Sequence, residues 1–383
     1  MSDRKKKQAT AIEVRHIVHL TRPAVGDSEL EAVKRVLDSG ILTEGEACAT
    51  LEREFARYVR SKYAVATSSC TSALHLTLLA AGIGHEDEVV VPDFTFPATA
   101  NVVRLVGAAP VLVDIEPHSY NIDPKMVRQA ITPKTRAIIV VHLFGLSADI
   151  GPILELARER SITVIEDAAC AIGTTYKGAR VGTLGNAACF SFHPRKIVTT
   201  GEGGMVTTDS QEIADRVSRL KNHGELKADG HTRFVVPGYN YRLSDLLAAI
   251  GVVQLKRIEH LIKSRVRIAT IYNELLSDID GITCPWSREN DVHTYQSYVV
   301  KIENTFGISR DETISRLRRL GIETQIGTYA LHLEPSFCDY YEPNSCPCSE
   351  DAAVRTLSLP ISSIMTPGQA EYVANSLRKV RRD

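Results

Sequence analysis

A lysine that follows a strand and a stiff turn, and precedes a run of glycines, is placed for covalent chemistry. One such lysine ends Ser191-Phe192-His193-Pro194-Arg195-Lys196, and Thr200-Gly201-Glu202-Gly203-Gly204 follows it. In a partly desolvated site a lysine loses its proton more readily and can form a Schiff base. The glycines let backbone approach closely. A second motif, Ile165-Glu166-Asp167-Ala168-Ala169, closes a β-branched run. A carboxylate there loses its hydration unless a cation meets it. A protonated pyridine nitrogen is such a cation, and an Asp facing it keeps the ring able to accept electrons. A third motif is Thr67-Ser68-Ser69-Cys70-Thr71-Ser72-Ala73, where five of seven residues carry hydroxyls. Between a strand and a helix, such a run makes an anion site from backbone N–H groups and short side chains. The fourth is Pro92-Asp93-Phe94-Thr95-Phe96-Pro97, where an aromatic ring can stack on a flat molecule.

Each motif has an ordinary structural use as well. Most lysines are solvated, an Asp can cap a turn, Ser and Thr cap helices, and Phe packs in cores. Together they match the needs of pyridoxal 5'-phosphate: a phosphate cradle, a strand-end acid, a stacking ring and a loop lysine. A nicotinamide site has less support, because no GxGxxG follows a strand, and no Walker A motif is present.

The elements that position these residues follow from hydrophobic pattern. Short apolar runs at 64–67, 88–92, 109–115, 136–145, 162–169, 186–192 and 203–209 alternate with helical stretches. The runs are continuous rather than alternating, as expected of strands covered by helices on both faces. The fold class is therefore α/β, with a mostly parallel central sheet. Ligands in such sheets bind beyond the carboxyl ends of strands, where the four motifs fall. Helices are expected at 28–39, capped by Asp27 or Ser28, at 50–60, and as one long helix over 244–276. A smaller α+β unit follows, with a strand at 295–302 and helices at 311–320 and 367–380. The division is a basic tail at 1–15, a large domain at 16–260 and a smaller C-terminal domain at 261–383.

Composition narrows the function classes. The chain has 383 residues, with 45 Lys plus Arg against 46 Asp plus Glu, for a net charge of −1. Near-neutral charge gives no general reason to expect nucleic acid as a partner. No apolar run approaches the roughly 18–20 residues that span a bilayer. The N-terminus is basic without an apolar stretch behind it, so no export signal is read. The eight cysteines are scattered, and Cys346-Pro-Cys348 lacks a second pair, so no metal site is expected. These features point to the reducing cytosol.

The motifs also carry a resemblance. SGILTEG, SSCTSALHL, VVVPDFTFPATAN, PVLVDIEPHSYNIDP, VHLFG, IEDAACAIG, FSFHPRKIVTTGEGGMV, NHG, GYNYRLSDLLAAI, YALHLEPSF and LSLPIS occur in order from about Ile17 to the C-terminal helix. The chain thus resembles the DegT/DnrJ/StrS family of sugar aminotransferases, of fold type I. The resemblance implies that Lys196 bonds the cofactor aldehyde and later shuttles the proton, and that Asp167 pairs with the pyridinium nitrogen. It implies that Phe96 stacks on the ring and that Cys70, Thr71 and Ser191 hold the phosphate. It places His193 beside the cofactor loop, and Asn240 at the phosphate of a neighbouring subunit in a homodimer. Tyr329 and His332 belong to a loop that approaches the sugar. Cys170 stands where relatives often have Gln or His, near the ring substituents, and a thiol bonds more weakly. Cys70 stands where many relatives have Gly.

The reaction so implied moves an amino group from L-glutamate to a nucleotide-linked keto-deoxysugar. A keto-cyclitol acceptor and a non-catalytic regulatory protein on the same fold are the alternatives. A sugar 3-dehydratase is disfavoured, since those relatives carry His where Lys196 stands.

Overall fold

The computed structural model describes residues 17–338, 341 and 344–382, so the basic tail expected at 1–15 lies outside the described residues. At its centre is a seven-stranded sheet. Its spatial order is Tyr63–Thr67, Gly204–Thr208, Ala187–Ser191, Thr163–Asp167, Thr135–Val141, Glu88–Pro92 and Ala109–Val113. Gly204–Thr208 runs antiparallel to both neighbours, and the other pairings are parallel. The mostly parallel sheet read from the apolar runs is what the structure contains.

Successive residues of one strand enter different cores, as side-chain alternation demands. Val89, Val91 and Ile139 pack with the Cys70–Ala80 helix. Val90, Ile138 and Val140 pack beneath the Ile150–Arg160 helix. A third core, containing Phe55, Phe190 and Met205, lies under the Glu46–Val59 and Asp245–Lys256 helices. Beyond the large sheet, a four-stranded sheet of Ile282–Thr283, Tyr298–Ile302, Thr356–Leu359 and Gln325–Ile326 has its own core. There Tyr272, Phe306 and Leu377 are buried.

Long-range contacts moved several expected boundaries. The second helix begins at Glu46 rather than 50. The Asp245 carboxylate, 200 positions away, accepts from Gly45 N at 2.9 Å and also from Ala47 N and Cys48 N, so it caps that helix from outside. The first helix is capped at Gly26, where Glu29 reaches back to the Gly26 N–H, and not by Asp27 or Ser28. The single helix expected over 244–276 breaks at Arg257 into Asp245–Lys256 and Ile258–Leu276. Arg257 and Gln254 both reach out to the Ala24 carbonyl and the Glu29 carboxylate, which fixes the break. The strand expected from 295 starts at Tyr298, because Tyr295 takes a φ of 48°.

Register aligns the site. Thr67 pairs with Gly204, and Gly204 pairs with Ser191. Asp167 pairs with Cys189, two residues short of Ser191. The hydroxyl run after Thr67, Ser191 and Asp167 therefore open on the same sheet edge. Gly204 sits hard against the start of the Cys70–Ala80 helix. A Cβ at position 204 would lie 2.6 Å from Cys70 N, and closer still to the Ser69 carbonyl group. Both are backbone and cannot rotate away. Gly204→Ala should lower unfolding stability by about 1–3 kcal/mol through overpacking, measured by urea denaturation. An unchanged denaturation midpoint would contradict this packing.

Candidate active site

The cradle is the N-terminus of the Cys70–Ala80 helix. Ser69 is its cap, accepting from Ser72 N at 3.0 Å. Ser72 Oγ bonds Ser68 Oγ and Ser69 Oγ at 3.0 and 2.9 Å. The first-turn N–H groups of Cys70 and Thr71 have no acceptor within the helix by its geometry. Thr71 is exposed, whereas Cys70 is buried. Burial pushes the Cys70 thiol well above its ordinary range, so it is a neutral thiol. Ser68 N donates to Tyr241 O at 2.8 Å, which ties the cradle to the segment that carries Asn240.

Glu166 and Asp167 end the same strand and do different work. Glu166 is buried and saturated. It accepts from Gly182 N, Leu184 N and Gly185 N and meets His142 Nε2 at 3.1 Å. His142 Nδ1 accepts from Ala148 N, so the proton between ring and carboxylate sits on Nε2. Asp167 points to the opposite face and has fewer donors. Thr99 Oγ1 donates to Oδ2 at 2.9 Å, and Ala169 N to Oδ1 at 3.2 Å. Asp167 is only 5% exposed, and burial raises its carboxyl above the ordinary range despite these bonds and the nearby Lys196. Thr99 was not singled out by the sequence motifs. Its only signal was a Thr one turn after Thr95 on the helix behind Phe96.

Lys196 Nζ donates to Cys170 Sγ at 3.0 Å. Burial pulls its amine down, but Cys170, Cys70 and Asp167 push it up, and the net direction is up. Among these neighbours Asp167 is the carboxylate. His193 is half-buried on the same loop, and its Nδ1 accepts from Arg195 N at 3.2 Å. Burial lowers its pKa. Ser191 Oγ accepts from His193 N at 3.4 Å.

Phe96 is 64% exposed, and its ring meets that of Tyr329 edge-on at 6.4 Å. Tyr329–Ala330 pairs with Phe94–Thr95, which brings the two rings together. His332 differs from its expected role. It is 2% exposed, and both ring nitrogens face carboxylates, Asp93 at 2.8 Å and Glu350 at 3.1 Å. With both nitrogens engaged and buried, it has no ring atom to offer a sugar. Asp93, His332 and Cys346 each bring one metal-type donor atom within 4.8 Å of the others. The CxC spacing alone did not foreshadow this grouping, in which Asp93 and His332 already bond each other. Asn240 is exposed, away from Lys196 in sequence and bridged to Asn222.

The donor set fits pyridoxal phosphate. A desolvated carboxylate without a full complement of donors calls for a cationic partner, and a helix N-terminus with hydroxyls calls for an anion. The Lys196 amine is near enough to both to feel Asp167 and Cys70 at the helix start. A strand-end acid, loop lysine and phosphate cradle on this sheet define a fold type I vitamin B6 enzyme.

Comparison with known proteins agrees. Residues 23–378 match the model of the DegT/DnrJ/EryC1/StrS aminotransferase family, and the chain belongs to that family. It is 37% identical to the spore coat polysaccharide biosynthesis protein SpsC of Bacillus subtilis (strain 168), over 95% of this chain and 97% of that one. Its structure is similar to Spr1654 of Streptococcus pneumoniae, solved in PMP and PLP forms. For the PMP form the TM-score is 0.91 at 27% identity, covering 96% and 98% of the two chains. PseC of Helicobacter pylori, an aminotransferase of pseudoaminic acid biosynthesis, gives a TM-score of 0.91 at 26% identity, covering 96% and 99%. The chain is a pyridoxal-phosphate-dependent sugar aminotransferase. Among the described residues no helix is long and apolar enough to cross a membrane.

The raised Asp167 carboxyl has a stability consequence. Below the ordinary carboxylate range, folded and unfolded chains are both protonated there. Above it, the unfolded chain releases the proton freely and the folded chain does not, so the residue's contribution to stability falls as pH rises. Asn can keep both bonds, accepting from Ala169 N and donating to Thr99 Oγ1. Cofactor-free Asp167→Asn should therefore unfold at a higher temperature than wild type at neutral pH, with the gap closing on acidification. Scanning calorimetry of the cofactor-free proteins checks this, and a lower midpoint at neutral pH would refute it.

Proposed function

We propose that this enzyme takes an amino group from L-glutamate and places it on a keto-deoxysugar carried by a nucleotide, in aminosugar or surface-polysaccharide biosynthesis. The carrying observation is the convergence of Lys196, Asp167 and the hydroxyl cradle on one sheet edge. The printed roles of SpsC and PseC, in spore coat polysaccharide and pseudoaminic acid biosynthesis, support the class of product.

When bound, pyridoxal phosphate carries the amino group and takes up the electrons released at the reacting carbon. Lys196 Nζ holds the aldehyde carbon. Once displaced, its amine would be the base that takes the donor's α-proton and gives it back across the intervening nitrogen, serving both moves. Asp167 keeps the ring nitrogen protonated. Engaged in that way, its charge pulls less on Lys196, which lets the freed amine act as a base. Cys170 Sγ is the contact for that amine. The N–H groups of Cys70 and Thr71, the Thr71 hydroxyl and Ser191 hold the phosphate, and His193 flanks the loop. Phe96 covers a ring face, and Tyr329 beside it borders the sugar.

The second phosphate contact comes from a homodimer in which Asn240 reaches across. Phe234, Val235 and Val236 are all exposed on the segment leading to Asn240, with Phe234 at 68%. Such a run of exposed apolar residues favours a covering partner.

Purified protein should show a visible band that bleaches on adding L-glutamate. Lys196→Ala should lower turnover by about 10²–10⁴-fold in a coupled 2-oxoglutarate assay, as for loss of a catalytic base. Retained turnover would reject the assignment. Lys196→Ala subunits mixed with Asn240→Ala subunits should recover part of the activity, through heterodimers with one intact site. No recovery would contradict the shared site.

A further inference from the structure

We propose that Gln296 positions the catalytic lysine, by holding the two peptide groups that flank it. This rests on the assignment of Lys196 above. Gln296 Oε1 accepts from Ile197 N at 3.0 Å, and Gln296 Nε2 donates to Arg195 O at 2.6 Å. Arg195 O belongs to the peptide unit before the Lys196 Cα, and Ile197 N to the unit after it. Those two planes define φ and ψ of Lys196. One side-chain amide therefore pins both torsions of the residue that must swing its amine between the aldehyde and the donor carbon. The amide orientation is dictated by its partners, since a backbone N–H donates and a carbonyl accepts.

The clamp is itself held. Gln296 is buried at 6% exposure, and its own carbonyl accepts from Arg265 Nη1 at 3.1 Å. Arg265 is fully buried on the Ile258–Leu276 helix, and it also reaches the Tyr295 carbonyl, the Ile361 carbonyl and Thr21 Oγ1. Gly145 permits the close approach, because a Cβ there would meet Gln296 N at 2.8 Å. Arg195 is held a second time, through its side chain, with Nη1 donating to Gln325 Oε1 at 2.9 Å. Gln296 leads into the Tyr298–Ile302 strand, and Gln325 lies in another strand of the same four-stranded sheet. The lysine is thus supplied by the large sheet and set in place by the small one.

Such a role lowers the rate with little effect on donor binding. Gln296→Met keeps the side-chain length and removes both bonds. It should lower kcat at least about tenfold and leave KM for L-glutamate within about twofold. In the cofactor-free protein the Ile197 amide should exchange with deuterium at least about tenfold faster, read by mass spectrometry of the loop peptide. Gln296→Glu keeps the acceptor for Ile197 N. It should restore Ile197 protection and part of kcat, and it carries the test if the Met variant does not fold. Unchanged kcat and unchanged Ile197 exchange in Gln296→Met, or no recovery of either in the Glu variant, would overturn the proposal. Lys196→Ala run alongside separates the two readings. Turnover near the wild-type rate by that variant would reject the lysine, whereas the Ile197 exchange rate reports the clamp regardless.

Discussion

A carboxylate at the end of a strand covered on both faces is stable only when something positive meets it. Asp167 is in that position, and most of the site can be understood as a response to it. Two hydrogen bonds are too few to balance its burial, so its carboxyl titrates high. The contrast is next door. Glu166, on the other face of the same strand, is matched by three backbone N–H groups and a histidine and is spent on structure. One strand end thus presents a finished acid and an unfinished one, and only the unfinished one can serve a ligand.

The sheet turns this local need into a site. Three strands that run the same way, Tyr63–Thr67, Ala187–Ser191 and Thr163–Asp167, end on one edge, and the antiparallel Gly204–Thr208 brings a glycine between the first two. That glycine lets the helix start sit close enough for its N–H groups to line the same cleft. Lys196 then stands between an anion-binding end and an acid end. Asp167 is one of the groups that raise the pKa of its amine, after the Cys170 thiol that the amine meets directly.

Much of this was legible in the chain. The strands were apolar through and through, so their double burial and parallel order could be read directly, and the site motifs fell at their ends. What could not be read was set by partners far away in sequence. Asp245 starts a helix 200 positions earlier. Arg257 breaks a helix whose periodicity is continuous, because its guanidinium is drawn to Glu29. His332 carries a motif's signature and is buried between two acids. In each case local pattern was sound, and a tertiary contact of one or two side chains decided the outcome.

The most direct measurement is nitrogen-15 NMR of ring-labelled pyridoxal phosphate bound to the enzyme. The ring nitrogen should remain protonated throughout the neutral pH range in the wild-type protein, and titrate at lower pH once Asp167 is replaced by Asn. A ring nitrogen that loses its proton at the same pH with either residue at 167 would contradict the account.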